Sequence, residues 1–245
     1  MQENKYDNDV FFAKYCQMDR SQKGLEGAGE WATLEPMLPD FAQKRVLDLG
    51  CGFGWHCRYA AAHGAQAVTG IDLSEHMLAK ARQFPTPACV TYRRMPIEEI
   101  DFAPASFDVV LSSLVFHYVA DFPALCRKIT DCLTPGGDFV FSVEHPVFTA
   151  QGPQDWVYDE QGRPLYWPVD DYFIEGLRHA TFLGEPVVKY HRTLTTYLRT
   201  LWQCGFAVTD VAEPQPTPAM LETVPGMRDE LRRPMMLLVA ARKQG

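Results

Sequence analysis

Three glycines and two aspartates in the first third of the chain form the pattern with the clearest chemical meaning. Residues Val46 to Gly54 read Val-Leu-Asp-Leu-Gly-Cys-Gly-Phe-Gly, and Asp72 closes the next apolar run. Glycine adopts backbone angles closed to other residues and lets the main chain approach a ligand without an intervening Cβ. A carboxylate at the end of the following strand can accept hydrogen bonds from two ribose hydroxyls. Together the two stretches predict a nucleoside-binding turn between a strand and a helix.

The spacing of the glycines indicates which class of nucleoside site this is. A dinucleotide fingerprint, G-x-G-x-x-G, would place its third glycine at position 55, but Trp55 is there and the glycine comes one residue early. With Asp48 two residues before the first glycine, the stretch resembles motif I of the class I S-adenosylmethionine-dependent methyltransferases. The run Gly70-Ile71-Asp72-Leu73-Ser74 resembles the acidic motif on the second strand of that family.

Two further segments extend the resemblance toward the C-terminus. They are Ser106-Phe107-Asp108-Val109-Val110 and Leu133-Thr134-Pro135-Gly136-Gly137. Residues 44–143 therefore resemble this family closely, and the C-terminal strands resemble it more loosely. Four motifs in the family's order are specific, and the chain looks like a small-molecule methyltransferase of type 11 or 25. The resemblance implies S-adenosyl-L-methionine as cofactor, S-adenosyl-L-homocysteine as product and no metal.

The alternation of apolar strands with amphipathic helices predicts the fold class independently. We expect an α/β protein with a Rossmann-like, doubly wound, seven-stranded and mostly parallel sheet, helices on both faces and an aromatic-rich insertion after the fifth strand. Strands are predicted at 45–50, 67–72, 88–93, 107–112, 137–143, 206–212 and 235–242. The expected divisions are a helical segment covering the cofactor site (1–40), a cofactor-binding core (41–144), a substrate lid (145–192) and a C-terminal helix with the last two strands (193–245).

The composition is typical of a globular enzyme and limits the classes of partner that we expect the protein to bind. The chain has 245 residues, is 47% hydrophobic and carries a net charge of −8, which opposes a nucleic-acid partner because such proteins usually present a basic face. Seven cysteines without a C-x-x-C pair suggest neither disulfides nor structural zinc. No leader or membrane-spanning run is recognisable. We therefore expect a cytoplasmic monomer or homodimer that acts on a small molecule without a membrane or nucleic-acid partner.

The resemblance implies cofactor contacts from the glycine turn, the end of the second strand, the loop after the third strand and the end of the fourth. Asp72 is expected to bind the ribose, and Leu73 and Met77 the adenine, although Met77 also suits the buried face of its helix. The loop after the third strand departs from the family because arginine stands where an acidic residue is common. The full set is Asp48, Gly50, Cys51, Gly52, Gly54, Asp72, Leu73, Met77, Met95, Pro96, Ile97 and Ser112.

The segment from 145 to 192 breaks the strand–helix rhythm and is too long for an ordinary connection. It is dense in aromatic residues, and an insertion after the fifth strand of an open α/β sheet can lie over the ligand-binding edge. We interpret it as the substrate lid, with a dimerisation flap or a satellite core as the structural alternative. The predicted acceptor-binding residues are Trp156, Tyr158, Tyr172, Tyr190, His191 and Arg192.

Methyl transfer is an in-line displacement, so alignment of the acceptor provides most of the catalysis and a general base is optional. His145, directly after the fifth strand, is the predicted base because imidazole titrates near neutral pH. His117 stands where relatives often carry histidine. Either side chain could instead only pack and hydrogen-bond, and Arg192 could form a surface ion pair rather than bind an anionic acceptor.

Three other functions remain open at this stage. A nucleic-acid or protein methyltransferase would share the cofactor, although the sequence after the fourth strand, Ser112-Ser113-Leu114-Val115-Phe116-His117, lacks the Pro-Pro-aromatic motif of enzymes that methylate base nitrogens. An NAD-dependent oxidoreductase would share the sheet but conflicts with the glycine spacing. A non-catalytic cofactor-binding module would have the same motifs and is separated from an enzyme only by turnover.

Overall fold

The computed structural model of the protein describes residues 4–245. Its strands are β1 (Arg45–Leu49), β2 (Ala67–Asp72), β3 (Val90–Arg94), β4 (Phe107–Ser113), β5 (Leu133–Glu144), β6 (Val157–Tyr158), β7 (Pro164–Tyr166), β8 (Gly176–Phe182), β9 (Glu185–His191), β10 (Phe206–Ala212) and β11 (Met236–Lys243). Its α-helices are α1 (Asp9–Tyr15), α2 (Asp19–Gln22), α3 (Trp31–Leu34), α4 (Trp55–Ala62), α5 (Glu75–Ala81), α6 (Phe122–Cys132), α7 (Pro146–Thr149), α8 (Leu194–Gln203) and α9 (Pro218–Thr223).

Seven of these strands form one sheet in the order β10-β11-β5-β4-β1-β2-β3. Strand β11 pairs antiparallel with both β10 and β5, and the other pairings are parallel. The strand order reverses at β1 and β4, which is where ligands bind in open α/β sheets, outside the carboxyl ends of the strands. The predicted Rossmann-like, seven-stranded, mostly parallel sheet is confirmed.

Alternation along the strands divides the core between the two faces of the sheet, because successive side chains of a strand point to opposite sides. Leu47 and Leu49 pack with α6 and α8 on one face. Val46 and Val68 pack with α3 and α4 on the other. Helices therefore cover both faces, as predicted.

Local sequence signals fix the helix ends near the site. The Ser74 side chain accepts a hydrogen bond from Met77 N at 3.1 Å and caps α5 as predicted, and an oxygen at this position satisfies a backbone donor that the helix leaves free. Helix α6 ends before Pro135 and Gly136. The predicted strand bounds agree with the observed ones to within about two residues except at β5, which begins earlier, at Leu133.

The insertion is ordered as helix α7 followed by two antiparallel hairpins, β6–β7 and β8–β9. The second hairpin packs on the N-terminal segment, where Phe11 lies 5.9 Å from Phe182, centroid to centroid. Lys14 Nζ donates to Leu183 O at 3.0 Å across the same contact. Within residues 4–245 no helix is both long and apolar enough to cross a membrane.

Candidate functional site

The glycine-rich turn after β1 is fixed by hydrogen bonds to the end of β2. The backbone N–H groups of Gly50 and Cys51 both donate to Ile71 O at 2.9 Å. Gly52 N donates to Asp72 Oδ2 at 2.8 Å, and Ser74 N donates to Asp72 Oδ1 at the same distance. The Asp72 carboxylate is therefore held by backbone donors on both oxygens while each oxygen keeps further accepting capacity.

The three glycines of the turn are required for different reasons. All have positive φ, at 74° for Gly50, 53° for Gly52 and 72° for Gly54. A Cβ at Gly50 would lie 2.4 Å from a Val115 methyl, and one at Gly54 would lie 2.1 Å from the Tyr92 hydroxyl. A Cβ at Gly52 would meet no protein atom within 4 Å. Gly52 therefore borders space that the protein leaves empty, as a ligand cradle requires.

Two buried carboxyl groups support this turn. Burial raises the pKa of Asp72 to about 6, while hydrogen bonds from Ser74 N and Gly52 N oppose the shift. Burial likewise raises the pKa of Asp48, to about 7, and the Cys57 thiol donates to Asp48 Oδ2 at 3.2 Å. Asp48 thus lies beneath the turn and supports it, whereas Asp72 faces the ligand side.

A cavity of about 440 Å³ opens at this edge of the sheet. One end is bounded by the glycine turn and Asp72, with Leu73, Met77 and Ile97 as apolar wall. The indole Nε1 of Trp55 belongs to the wall and is buried without a protein partner. A carboxylate for ribose hydroxyls, apolar contacts for adenine and a free buried donor match S-adenosylmethionine, so these residues fit the cofactor that the motifs imply.

The N-terminal segment contributes Tyr6, Tyr15 and Arg20 to the cavity wall. The Arg20 guanidinium donates to Glu30 Oε1, which also accepts from Ser113 Oγ at 3.2 Å. The Glu30 carboxylate raises the pKa of Arg20 against the opposing effect of burial. The Ser113 hydrogen bond to Glu30 thus joins the N-terminal segment to the end of β4.

The opposite end of the cavity contains a buried polar cluster. Lys189 Nζ donates to Glu144 Oε1 at 2.6 Å and to Gln154 Oε1 at 2.8 Å, and Gln154 Nε2 donates to Glu144 Oε2 at 2.8 Å. His117 Nδ1 accepts from Glu144 N at 3.3 Å, and burial lowers the pKa of His117 to about 4. Tyr118 and Phe182 are part of the same wall.

The structure brings most of the predicted cofactor residues to this cavity. Its wall includes Gly50, Cys51, Gly52, Asp72, Leu73, Met77 and Ile97. The predicted contacts Asp48, Gly54, Met95, Pro96 and Ser112 are not part of that wall. Ser112 is buried and donates to Leu49 O at 2.9 Å, while its neighbour Ser113 faces the cavity. These residues position the wall rather than form it.

Of the two predicted catalytic histidines, the structure places only His117 in the cavity wall. His145 Nδ1 accepts from Val147 N at 3.0 Å, which caps α7, and its Nε2 lies 2.8 Å from Glu213 Oε1. Neighbouring residues at a strand end point to opposite sides, so Glu144 faces the cavity and His145 faces away from it. The geometry gives His145 a structural role instead of the predicted base role.

The predicted acceptor residues do not line the cavity either. The Arg192 guanidinium is buried and donates to the carbonyls of Phe116, Val119 and Ala120, so it is engaged inside the fold rather than in the cavity wall. The Tyr172 hydroxyl accepts from Leu194 N at the start of α8, and His191 Nδ1 is hydrogen-bonded to Thr149 Oγ1 within the insertion. Tyr190 is also outside the wall, and Trp156 and Tyr158 line a separate cavity of about 570 Å³.

The cavity wall also contains residues that are distant in sequence and that the sequence patterns did not predict. Glu144, Gln154 and Lys189 lie in three different elements, and Tyr6 and Arg20 come from the N-terminal segment. One signal was available, because Glu144 is a carboxylate at the carboxyl end of a predicted central strand, which is where ligands bind. Lys189 and Gln154 carry no comparable local signal.

Comparison with known proteins identifies the family of the chain. A family profile described as a methyltransferase domain matches residues 47–141. The crystal structure of an S-adenosylmethionine dependent methyltransferase from Mesorhizobium loti is 47% identical, covers 90% of this chain and 100% of its own, and superposes with a TM-score of 0.83. A Listeria monocytogenes structure provisionally assigned to the same activity is 57% identical over 91% of this chain and 100% of its own, with a TM-score of 0.86.

The fold and site thus define an S-adenosylmethionine-dependent enzyme. The chain belongs to the class I S-adenosylmethionine-dependent methyltransferases. The chain is also similar to a protein whose name indicates action on tRNA. This relative, a tRNA U34 carboxymethyltransferase from Methylococcus capsulatus, is 27% identical over 81% of this chain and 63% of its own length.

The open space at Gly52 gives a direct test of the cofactor cradle. Gly52→Val should abolish binding of S-adenosylhomocysteine, because the side chain would occupy ligand space. Gly162→Val is the matched control, since Gly162 also has positive φ (75°) and nothing within 4 Å of its Cβ but lies in the β6–β7 turn. Isothermal titration should show loss of binding only for Gly52→Val, and thermal unfolding should show comparable strain in both. Full affinity in Gly52→Val would make the turn purely structural.

The raised pKa of Asp72 predicts how cofactor affinity depends on pH. Only the carboxylate can accept from both ribose hydroxyls, so affinity is highest above about pH 6 and falls as the pH drops through the pKa, by up to about tenfold per unit. Asp72→Asn should bind weakly at every pH, and Asp72→Ala should lose about 3 kcal/mol of binding. Titration calorimetry with S-adenosylhomocysteine between about pH 5 and pH 8 measures this. A flat wild-type profile would remove Asp72 from the ribose site.

The capping geometry of His145 predicts a loss of stability rather than of chemistry. His145→Ala should lower the free energy of unfolding by about 1–2 kcal/mol, because Val147 N loses its acceptor. The rate of methyl transfer per folded enzyme should stay near that of the wild type across the pH range. Denaturant unfolding and single-turnover assays measure the two quantities. A selective loss of rate at unchanged stability would restore His145 as the base.

Proposed function

We propose that this enzyme transfers the methyl group of S-adenosylmethionine to an oxygen or nitrogen of a small-molecule acceptor in the cytoplasm. One observation carries the proposal: the cofactor end of the cavity and the polar cluster at Glu144 share a single space of about 440 Å³. Cavities of this size hold a small ligand. Because cofactor and acceptor must both fit there, the acceptor is small.

The closure of the cavity supports the same conclusion. The N-terminal segment and the β8–β9 hairpin contact each other through Phe11 and Phe182 and through Lys14 and Leu183. Both segments contribute to the cavity wall, the first with Tyr6 and the second with Phe182. A nucleotide in an RNA chain would require this contact to open, whereas a small acceptor requires only transient movement.

When bound, the cofactor supplies a methyl group on a positively charged sulfur, which is already a good electrophile. The protein residues hold the acceptor in line with that methyl group and exclude water, and such alignment contributes up to about 7–11 kcal/mol in model reactions. The apolar wall formed by Leu73, Met77 and Ile97 excludes water at the cofactor end. The aromatic side chains Tyr118 and Phe182 exclude water at the other end of the cavity, beside Glu144, which we call the acceptor end.

An RNA acceptor is the alternative raised by the tRNA-modifying relative. The net charge of −8 disfavours it, because contact with a phosphate backbone calls for neutralising lysines and arginines. A small acceptor needs no such surface. An oxidoreductase remains disfavoured by the glycine spacing.

Label transfer from methyl-labelled S-adenosylmethionine tests the proposal. The purified enzyme should label a compound in the dialysable fraction of a cell extract and should leave total tRNA and the protein fraction unlabelled. Mass spectrometry of the labelled compound then identifies the acceptor and the methylated atom. Gly52→Val is the negative control, since it should not bind the cofactor. Label found in tRNA or protein would overturn the small-molecule assignment.

A further inference from the structure

The buried carboxylate at the acceptor end of the cavity is Glu144, the last residue of β5. Lys189 Nζ, from β9, donates to its Oε1 at 2.6 Å. Gln154 Nε2, from the loop between α7 and β6, donates to its Oε2 at 2.8 Å. Lys189 is 2% exposed and Glu144 forms part of the cavity wall. The cavity thus ends at an ion pair that is shielded from solvent.

The Glu144 carboxylate can accept more hydrogen bonds than it receives from the protein. A carboxylate can accept about four hydrogen bonds, and Glu144 receives one from Lys189 and one from Gln154. The remaining accepting positions belong to a group in the cavity wall. A ligand that donates a hydrogen bond would satisfy them.

We propose that Glu144 is the base that takes the proton of the acceptor, with Lys189 and Gln154 as positioning residues, and that the acceptor is a planar molecule presenting an uncharged O–H or N–H group. This assignment rests on the proposed function and names the substrate class of the same site.

The surroundings keep the Glu144 carboxylate ionised despite its burial. Burial alone would raise the pKa of Glu144, but His117, Lys189 and Gln154 together lower it below the ordinary value. Burial lowers the pKa of His117 to about 4, so this imidazole is neutral near pH 7, where Lys189 and Gln154 are the groups that stabilise the carboxylate. The other titratable groups close to Glu144 are the phenols of Tyr118 and Tyr197, which burial keeps protonated by raising their pKa.

The charges in the cluster select the acceptor. Lys189 and Glu144 neutralise each other at 2.6 Å, so the pair has no net charge to repay the cost of burying a cationic or an anionic acceptor. Tyr6, Tyr118 and Phe182 supply aromatic wall around the cluster, and Lys189 Nζ lies 5.6 Å from the centroid of the Phe182 ring. Aromatic walls favour a flat ring. An uncharged, ring-borne O–H or N–H satisfies both requirements.

The proposed reaction is a substitution at the methyl carbon coupled to proton transfer. The acceptor atom forms a bond to the methyl carbon while the carbon–sulfur bond breaks, and that electron pair stays on sulfur, which becomes neutral. The acceptor proton moves to a Glu144 oxygen. Glu144 releases the proton to solvent when the product leaves.

The rate of label transfer into the dialysable fraction tests the base. Glu144→Gln should lower this rate about a hundredfold, the lower end of the range for a general base, because the lowered pKa makes this carboxylate a weak one. The S-adenosylhomocysteine affinity should stay within about twofold of the wild type. Glu213→Gln is the matched control, since Glu213 is exposed and contacts His145 rather than the cavity. A Glu144→Gln enzyme with the wild-type rate would overturn the assignment. A wild-type enzyme that labels nothing in this fraction would contradict the proposed function itself, so the two failures are distinguishable.

The positioning role of Lys189 has a readout that needs no turnover. Lys189→Met removes the ammonium that lowers the Glu144 pKa, so the carboxyl should titrate at higher pH. Carbon-13 NMR of the glutamate carboxyl groups measures this, with the Glu144 signal assigned by its absence from Glu144→Gln. Lys189→Arg retains a cation and should restore a low pKa. An unchanged Glu144 titration in Lys189→Met would remove Lys189 from this role.

The chemistry of the labelled product tests the acceptor class. A methylated ring oxygen or ring nitrogen should keep its label in mild base and should pass through a cation exchanger at neutral pH. Label released as methanol would identify a methyl ester, and label retained on the exchanger would identify a basic amine. Either of these results would overturn the inference about charge.

Discussion

The site depends on the hydrogen bonds that join the turn after β1 to the end of β2. Gly50 N and Cys51 N donate to Ile71 O, and Gly52 N donates to the Asp72 carboxylate. The same contacts set the position of Asp72 and turn the bare face of Gly52 toward the cavity. Without them the Asp72 carboxylate would have no defined direction, and the cofactor site we propose would lose both its ribose partner and its cradle.

The second constraint is the shielding of the proposed acceptor end of the cavity. A buried ion pair recovers its desolvation cost only when its geometry is good and its other polar positions are satisfied. The Lys189 and Glu144 pair meets part of this condition through Gln154, and a donor on the bound acceptor would satisfy the accepting positions of Glu144 that remain. Its two charged members lie on β9 and β5, so folding of the insertion assembles the acceptor end as well as covering it.

Arginine and histidine in the insertion show why residue type alone does not identify function. Arg192 resembles an anion anchor in sequence, yet its guanidinium satisfies the carbonyls that end the turn after β4. His145 resembles a base, yet it caps a short helix. Buried backbone groups require partners as strictly as ligands do, and side chains with several hydrogen-bonding atoms often meet that requirement.

The sequence by itself determined the sheet, the turn and the carboxylate at Asp72, because each follows from local patterns: apolar runs, glycine spacing and the end of a strand. It also determined the cofactor class, through Asp48 and the position of the third glycine. Only the tertiary structure decided which side chains meet at the acceptor end. Glu144 and Lys189 lie 45 positions apart in the chain, and Glu144 and His145 differ only in which side of a strand end they face. Such contacts depend on long-range packing, which no local pattern encodes.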